Sequence, residues 1–268
     1  MQNEDWRFED YRIRIYREGR GPAVLLIHGV GLGTSIPANF APVVPALAQH
    51  YSVYGMDLIG FGGSSRKMSS PYFDFPLWRR QAASVVQRIG EAGLRVWGQS
   101  MGGALSLSLA ADDPAISKVV TTGAGGGLHR LNGALDTFWS LPKSREALRE
   151  AIAGSVYDAA GVTETLVSQR YETLHQDEIA PYFEEMMRGD KQAMLDSAFL
   201  TPAVLGRVEA KVLVLHGRED RPVPHEQNAQ YISAYLPNAD TVILGACGHN
   251  PILEHTSKVT KLVLDHFA

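Results

Sequence analysis

Short apolar runs closed by turn-forming residues recur along the chain, at 23–28, 51–56, 94–97, 118–122, 211–216 and 241–244. Runs of this length and continuity suit strands buried on both faces, as in a parallel sheet. Residues 11–16 alternate in character, as an edge or exposed strand does, and Glu18-Gly19-Arg20-Gly21-Pro22 breaks them off. Between the runs lie helix-like stretches at 40–49, 77–92, 101–111, 225–235 and 257–267. Alternating strand and helix predict an α/β fold with right-handed crossovers, its mostly parallel central sheet flanked by helices. From 131 to 205 the rhythm fails: no strand-like run occurs, and 143–154, 163–174, 182–188 and 191–198 read as amphipathic helices. The pattern resumes at Val208. The simplest reading is a helical cap (131–205) inserted between strands of a core made from 1–130 and 206–268. A second helical layer of ordinary kind is the alternative.

Composition narrows the function classes. With 268 residues, 45% of them apolar, and charges of both signs interspersed, the chain has the profile of a soluble globular protein. A net charge of -4 without a basic run argues against nucleic acid as the main partner. The single cysteine, Cys247, allows no intrachain disulfide and gives no sign of an oxidising compartment. The first residues are polar and acidic, no signal-peptide-like apolar stretch follows them, and the longest apolar runs are too short to cross a bilayer. The expectation is a cytoplasmic protein without a membrane partner.

The chemistry is concentrated at Gly98-Gln99-Ser100-Met101-Gly102, which fits Gly-x-Ser-x-Gly. A predicted strand enters it and a small-residue helix leaves it. A nucleophile elbow needs that context, because the tight turn pushes the serine hydroxyl out at the end of the sheet while glycines let strand and helix cross. Serine is a weak nucleophile at neutral pH and needs a base oriented by a carboxylate. After such an elbow the acid and then the histidine follow in chain order. Asp220, just after the 211–216 strand, is the candidate acid, with Glu219 as its rival. His249, in the Gly-rich loop after the 241–244 strand, is the candidate base. His255 and His266 read as surface or packing histidines, and Cys247 as a small buried residue. The backbone N–H groups of Met101 and Val30 are the candidate oxyanion-hole donors, Val30 lying in the loop His28-Gly29-Val30-Gly31-Leu32-Gly33. A dinucleotide-binding turn does not fit there, since Thr34 stands where the third glycine belongs, and Asp57 looks like part of a structural turn.

Together these motifs resemble the α/β-hydrolase superfamily over essentially the whole chain. Three stretches look like its meta-cleavage product hydrolases, which break a carbon–carbon bond in ring-opened aromatic catabolites. They are the 28–33 loop continuing to Asn39-Phe40, Phe75-Pro76-Leu77-Trp78-Arg79-Arg80-Gln81, and Val162 onward to Arg170-Tyr171. The resemblance implies that Arg170 pairs with the carboxylate of a vinylogous diketone acid and that Asn39 holds the dienol end, with Gln99 and Gly31 also at the substrate. It implies a small-molecule substrate, no cofactor and no metal, and it leaves open a homodimer or larger homo-oligomer. Four positions depart from the family pattern. Leu32 stands for proline, Gln99 for asparagine, Asn250 for an aromatic residue after the histidine, and Pro222 for phenylalanine after the acid. These departures allow for a smaller or more polar acyl group. A carboxylesterase or enol-lactonase would use the same triad, and a small-ligand receptor on the same fold is the reading from another class.

Overall fold

The computed structural model of the chain describes residues 1–174 and 179–268. Among these, eight strands form one sheet: β1 (Gln2–Phe8), β2 (Tyr11–Glu18), β3 (Ala23–Ile27), β4 (Ser52–Met56), β5 (Leu94–Gln99), β6 (Ile116–Thr122), β7 (Lys211–Gly217) and β8 (Ala239–Leu244). Their spatial order is β1-β2-β4-β3-β5-β6-β7-β8. From β4 to β8 every pairing is parallel; β2 is antiparallel to β4, and β1 to β2. The reversal of strand order at β3 places the C-terminal ends of β3 and β5 side by side at the centre of the sheet.

The helices are α1 (Ile36–Phe40), α2 (Val44–Leu47), α3 (Phe75–Ile89), α4 (Met101–Ala110), α5 (Gly133–Phe138), α6 (Arg145–Ser155), α7 (Glu164–Leu174), α8 (Ile179–Met186), α9 (Lys191–Ser197), α10 (Pro202–Leu205), α11 (Ala229–Tyr235), α12 (Pro251–Glu254) and α13 (Thr256–Phe267). Because side chains alternate across a strand, each buried strand feeds two cores. Leu25 and Ile27 join the face covered by α3, α4 and α11; Val24 and Leu26 join the face covered by α1, α2 and α13. All ten residues of α4 are buried, as its apolar sequence requires. Helices α5 to α10 all fall between β6 and β7, and Leu148, Val162, Val167 and Leu174 form a separate small apolar cluster there. No helix among the described residues is long and apolar enough to cross a membrane.

Three local readings change. Gln2–Phe8 is a strand that apolar patterning misses, since only Trp6 in it is buried. It is held by full pairing with β2, by a 2.7 Å contact of Asp5 with Arg14 Nε, and by the Arg88 guanidinium 4.2 Å above the Trp6 ring. The single helix expected at 40–49 is two short ones, α1 and α2, because prolines 37, 42 and 45 remove backbone donors that a continuous helix would use. The helix expected from His225 starts only at Ala229.

The elbow depends on two glycines. A Cβ on Gly98 would lie 2.1 Å from the Gly102 carbonyl oxygen, and one on Gly102 would lie 2.2 Å from the Ile27 carbonyl oxygen. Backbone cannot yield there without separating β5, α4 and β3. Gly98→Ala is therefore expected to lower stability by about 3 kcal/mol, the upper end for overpacking. Gly154→Ala, in α6 where a Cβ meets nothing within 4 Å, is expected to raise it by ~0.5 kcal/mol through helix propensity. Urea midpoints measured for the two variants check both signs.

Candidate active site

Ser100 joins β5 to α4 with φ 54° and ψ -120°, a left-handed backbone that a β-carbon resists. The surroundings over-determine it. Its N–H donates to the Thr122 carbonyl at 2.9 Å, and its own carbonyl accepts from Gly103 N at 2.9 Å and Gly125 N at 3.3 Å. Strained conformations of this kind persist where the fold imposes them.

His249 lies beside it. Nε2 is 3.1 Å from Ser100 Oγ, and Nδ1 is 2.8 Å from Asp220 Oδ2. A carboxylate accepts only, so Nδ1 carries the proton towards Asp220 and Nε2 is left as the acceptor for the serine O–H. Asp220 Oδ1 accepts Val223 N at 2.8 Å, which fixes the carboxylate plane. Glu219 turns elsewhere, accepting the Cys247 N–H at 3.0 Å. Burial raises the Asp220 carboxyl, but the His249 charge and the hydrogen bonds of His216 and His249 outweigh it and hold it at about 2. Burial pushes His249 down, yet Asp220 leaves it above the ordinary 6.5. The pair's stabilisation follows from these directions. The histidine contribution is present below about pH 6.5 and lost as pH rises through the folded value; the aspartate contribution is present above about pH 3.8 and lost as pH falls towards 2. Cys247 is fully buried, and burial next to Glu254, Asp220 and Glu219 pushes its thiol up, so it stays protonated.

The two candidate oxyanion donors come from different constraints. Met101 is the first residue of α4, where the N–H has no intrahelical partner and the helix end is positive. The Val30 N–H belongs to the planar Gly29–Val30 peptide, whose carbonyl accepts from His28 Nδ1 at 2.7 Å and Thr34 Oγ1 at 3.0 Å. With the carbonyl fixed by those two donors, the Val30 N–H points the opposite way within the same plane. His28 Nε2 in turn accepts the Leu58 N–H at 3.0 Å, and burial lowers its pKa, so the ring is neutral. Asp57 accepts Ile36 N and Gly63 N at 2.8 Å each, which makes it the organiser of a turn.

A cavity of about 370 Å³ opens on Ser100 and His249. Asn39, Gln99, Val30 and Arg170 line it, with Leu148 and Ile152 among its apolar walls. Asn39 Nδ2 donates to Gln99 Oε1 at 2.7 Å, so these two amides form one unit beside the serine. Arg170 is half-buried and donates from Nη1 to the Leu32 and Gly33 carbonyls, 3.3 Å each. Among the described residues it meets no carboxylate. Gly31 does not reach the cavity: its Cα faces the Phe138 ring, where a Cβ would lie 2.8 Å away. His255 and His266 hold backbone carbonyls, of Ala246 and Lys211. Among the described residues no group of three His, Cys, Asp or Glu could hold a metal ion.

Several participants have no motif to announce them. Glu254 accepts Gly248 N, Asn250 N and Tyr157 N, clamping the His249 loop to the chain after α6. The His249 N–H donates to the Ser155 carbonyl at 2.7 Å. Trp139 Nε1 holds the Val30 carbonyl at 3.2 Å, and His216 packs beside Asp220. A buried polar residue at a strand end, as at His216, is the one sequence signal that could have pointed to any of them.

Comparison with known proteins agrees with this fold. A model of the α/β hydrolase fold matches residues 22–256. A 2-hydroxymuconate semialdehyde hydrolase of Pseudomonas sp. (strain CF600) is 28% identical over 96% of this chain and 90% of its own. The 2-hydroxy-6-oxo-6-phenylhexa-2,4-dienoate hydrolase of Rhodococcus sp. strain RHA1 is 30% identical, with 99% of each chain covered and a TM-score of 0.89. A meta-cleavage product hydrolase of Pseudomonas fluorescens IP01 superposes with a TM-score of 0.91 at 27% identity, over 96% of this chain and 94% of that one. The chain belongs to the α/β-hydrolase fold family, and within it resembles the meta-cleavage product hydrolases.

Proposed function

We propose that this protein is a serine hydrolase that cleaves a carbon–carbon bond next to a carbonyl in a ring-opened aromatic catabolite, a 2-hydroxy-6-oxo-hexa-2,4-dienoate. The observation that carries the reading is a half-buried cation, Arg170, with no carboxylate partner among the described residues, in the same cavity as Ser100 and His249. A guanidinium held by carbonyl oxygens alone retains its charge for a ligand carboxylate. The relatives named above act on acids of this kind. In this reading 131–205 is a cap whose α7 brings Arg170 over the strand ends, and the Asn39–Gln99 pair holds the dienol end.

The chemistry runs in two stages. The dienol first ketonises: the 2-hydroxyl proton leaves and a proton arrives at C5, with His249 as the carrier. Ser100 then gives its proton to His249 Nε2 and attacks C6. The oxyanion rests on the Val30 and Met101 N–H groups, and Asp220 stabilises the imidazolium. The C5–C6 bond breaks, its electron pair passing into the conjugated ketone as a dienolate that takes up a proton. Water then attacks the acyl-serine, giving its proton to His249, and frees the acid.

The direct test is loss of the yellow colour of such a dienoate, run beside p-nitrophenyl acetate. Efficient turnover of the dienoate supports the proposal; turnover of the ester or an enol-lactone alone makes the protein an esterase or lactonase, and tight binding with no turnover makes it a receptor. Ser100→Ala is expected to abolish both activities. Asp220→Asn is expected to lower kcat about 10³–10⁴-fold.

Arg170→Gln is expected to raise KM for the dienoate ~100-fold, the scale of a lost charge-assisted hydrogen bond, and to leave the uncharged ester unaffected. An equal loss on both substrates would remove Arg170 from carboxylate binding.

The pH dependence has a fixed sign. His249 acts as a base only when neutral, and Asp220 favours its charged form. The acid limb of kcat/KM is therefore expected above 6.5, and lower in Asp220→Asn.

A further inference from the structure

His216, the penultimate residue of β7, is fully buried. Its Nε2 lies 2.8 Å from the Val223 carbonyl and 3.0 Å from Asp220 Oδ2. Both neighbours are oxygens that only accept, so Nε2 carries the proton. The carbonyl is the better aligned acceptor, and the same N–H passes beside the carboxylate as a shared contact. Val223 returns its own N–H to Asp220 Oδ1 at 2.8 Å. Histidine, Val223 backbone and aspartate thus close a small ring: Oδ1 is tied to Val223 N, Val223 O to His216, and Oδ2 faces both His216 and His249.

The other ring nitrogen supplies an independent observation. His216 Nδ1 is buried with no hydrogen-bond partner. A neutral ring leaves an unmatched lone pair there, whereas a charged ring would leave an unmatched N–H, the more expensive of the two. Besides Asp220 and His249, the titratable groups facing the ring are His225, whose ring centroid is 6.5 Å away, and His129 from the loop after β6, which burial holds at about 4. A histidine with one orphan nitrogen and its N–H between two oxygens is costly packing for a site where an apolar side chain would fill the volume.

We infer that His216 is a positioning residue for the reaction, its neutral Nε2–H fixing the Asp220 carboxylate so that one oxygen faces His249 Nδ1. The inference rests on the triad reading above. When His249 takes the serine proton, Asp220 must already be oriented, and a carboxylate free to rotate spends part of its time pointing away. The His216 dipole also draws charge from Oδ2, so His249 is less basic than Asp220 alone would make it.

The test compares His216→Leu, His216→Gln and Asp220→Asn with the parent protein, counting competent molecules by titration with a serine-directed organophosphate. His216→Leu is expected to lower kcat 10- to 100-fold with KM within twofold, and to move the acid limb of kcat/KM to higher pH. His216→Gln, whose amide N–H can occupy the Nε2 position, is expected to recover most of both effects. Should Leu and Gln behave alike, or the limb stay in place, His216 is a packing residue only. Parent-like activity in Asp220→Asn would instead remove the triad reading itself. NMR of the parent protein covers the case in which His216→Leu does not fold: a proton on His216 Nε2 and none on Nδ1 supports the inference, and the opposite tautomer overturns it.

Discussion

Backbone crosses backbone between β5 and α4 at a distance that tolerates no β-carbon, and that close approach governs the chemistry downstream. Gly98 lies against Gly102, and Gly102 against the end of β3. With the strand and helix so near, the residue between them has only one way to turn, and Ser100 takes a positive φ. The same turn begins α4, so the first free N–H of that helix, on Met101, stands next to the serine. Nucleophile and one candidate anion donor therefore come from a single geometric demand. Because β3 ends alongside, its following loop is brought near enough for Val30 to be the other.

Around that fixed point the remaining groups are held by bonds that cross between distant parts of the chain. Asp220 and His249 follow β7 and β8, whose parallel pairing sets the two loops side by side. Their union gives an ionised carboxylate and a histidine inclined to hold a proton, the combination that lets an imidazolium form transiently in a buried place. The segment between β6 and β7 is bound to this machinery at several points. Trp139 grips the Val30 carbonyl, Arg170 the carbonyls of Leu32 and Gly33, and the end of α6 the His249 amide.

What could be read from the chain follows from the range of the interactions involved. Continuous apolar runs marked the inner strands because burial on both faces leaves no room for polar residues. The elbow was legible because its requirement is local: glycine, one residue, serine, one residue, glycine. Sequence ranks Asp220 above its rival Glu219 only by place in the turn, since both carboxylates meet the 245–250 loop and the choice depends on which one reaches the His249 ring. Trp6 and its strand were missed because β1 is stabilised by cross-strand charge and a cation over a ring rather than by patterning. Trp139 acts on Val30, 109 positions away, and Glu254 on Tyr157, 97 away, while the short-range contacts of Glu254 with Asn250 and of His216 with Asp220, four positions each, belong to no motif that marks them.

The bond from the His249 amide to the Ser155 carbonyl also bears on how such a site can diversify. Helix α6 is at once a wall of the cavity and, at its last residue, a support for the candidate base. A change near 155 alters shape and proton transfer together, so selection for a new substrate would be opposed there by loss of rate. One and two turns back, Leu148, Ala151 and Ile152 line the same cavity, and no hydrogen bond joins their side chains to the His249 loop. Those positions are where the cavity can be recut while the base stays where it is.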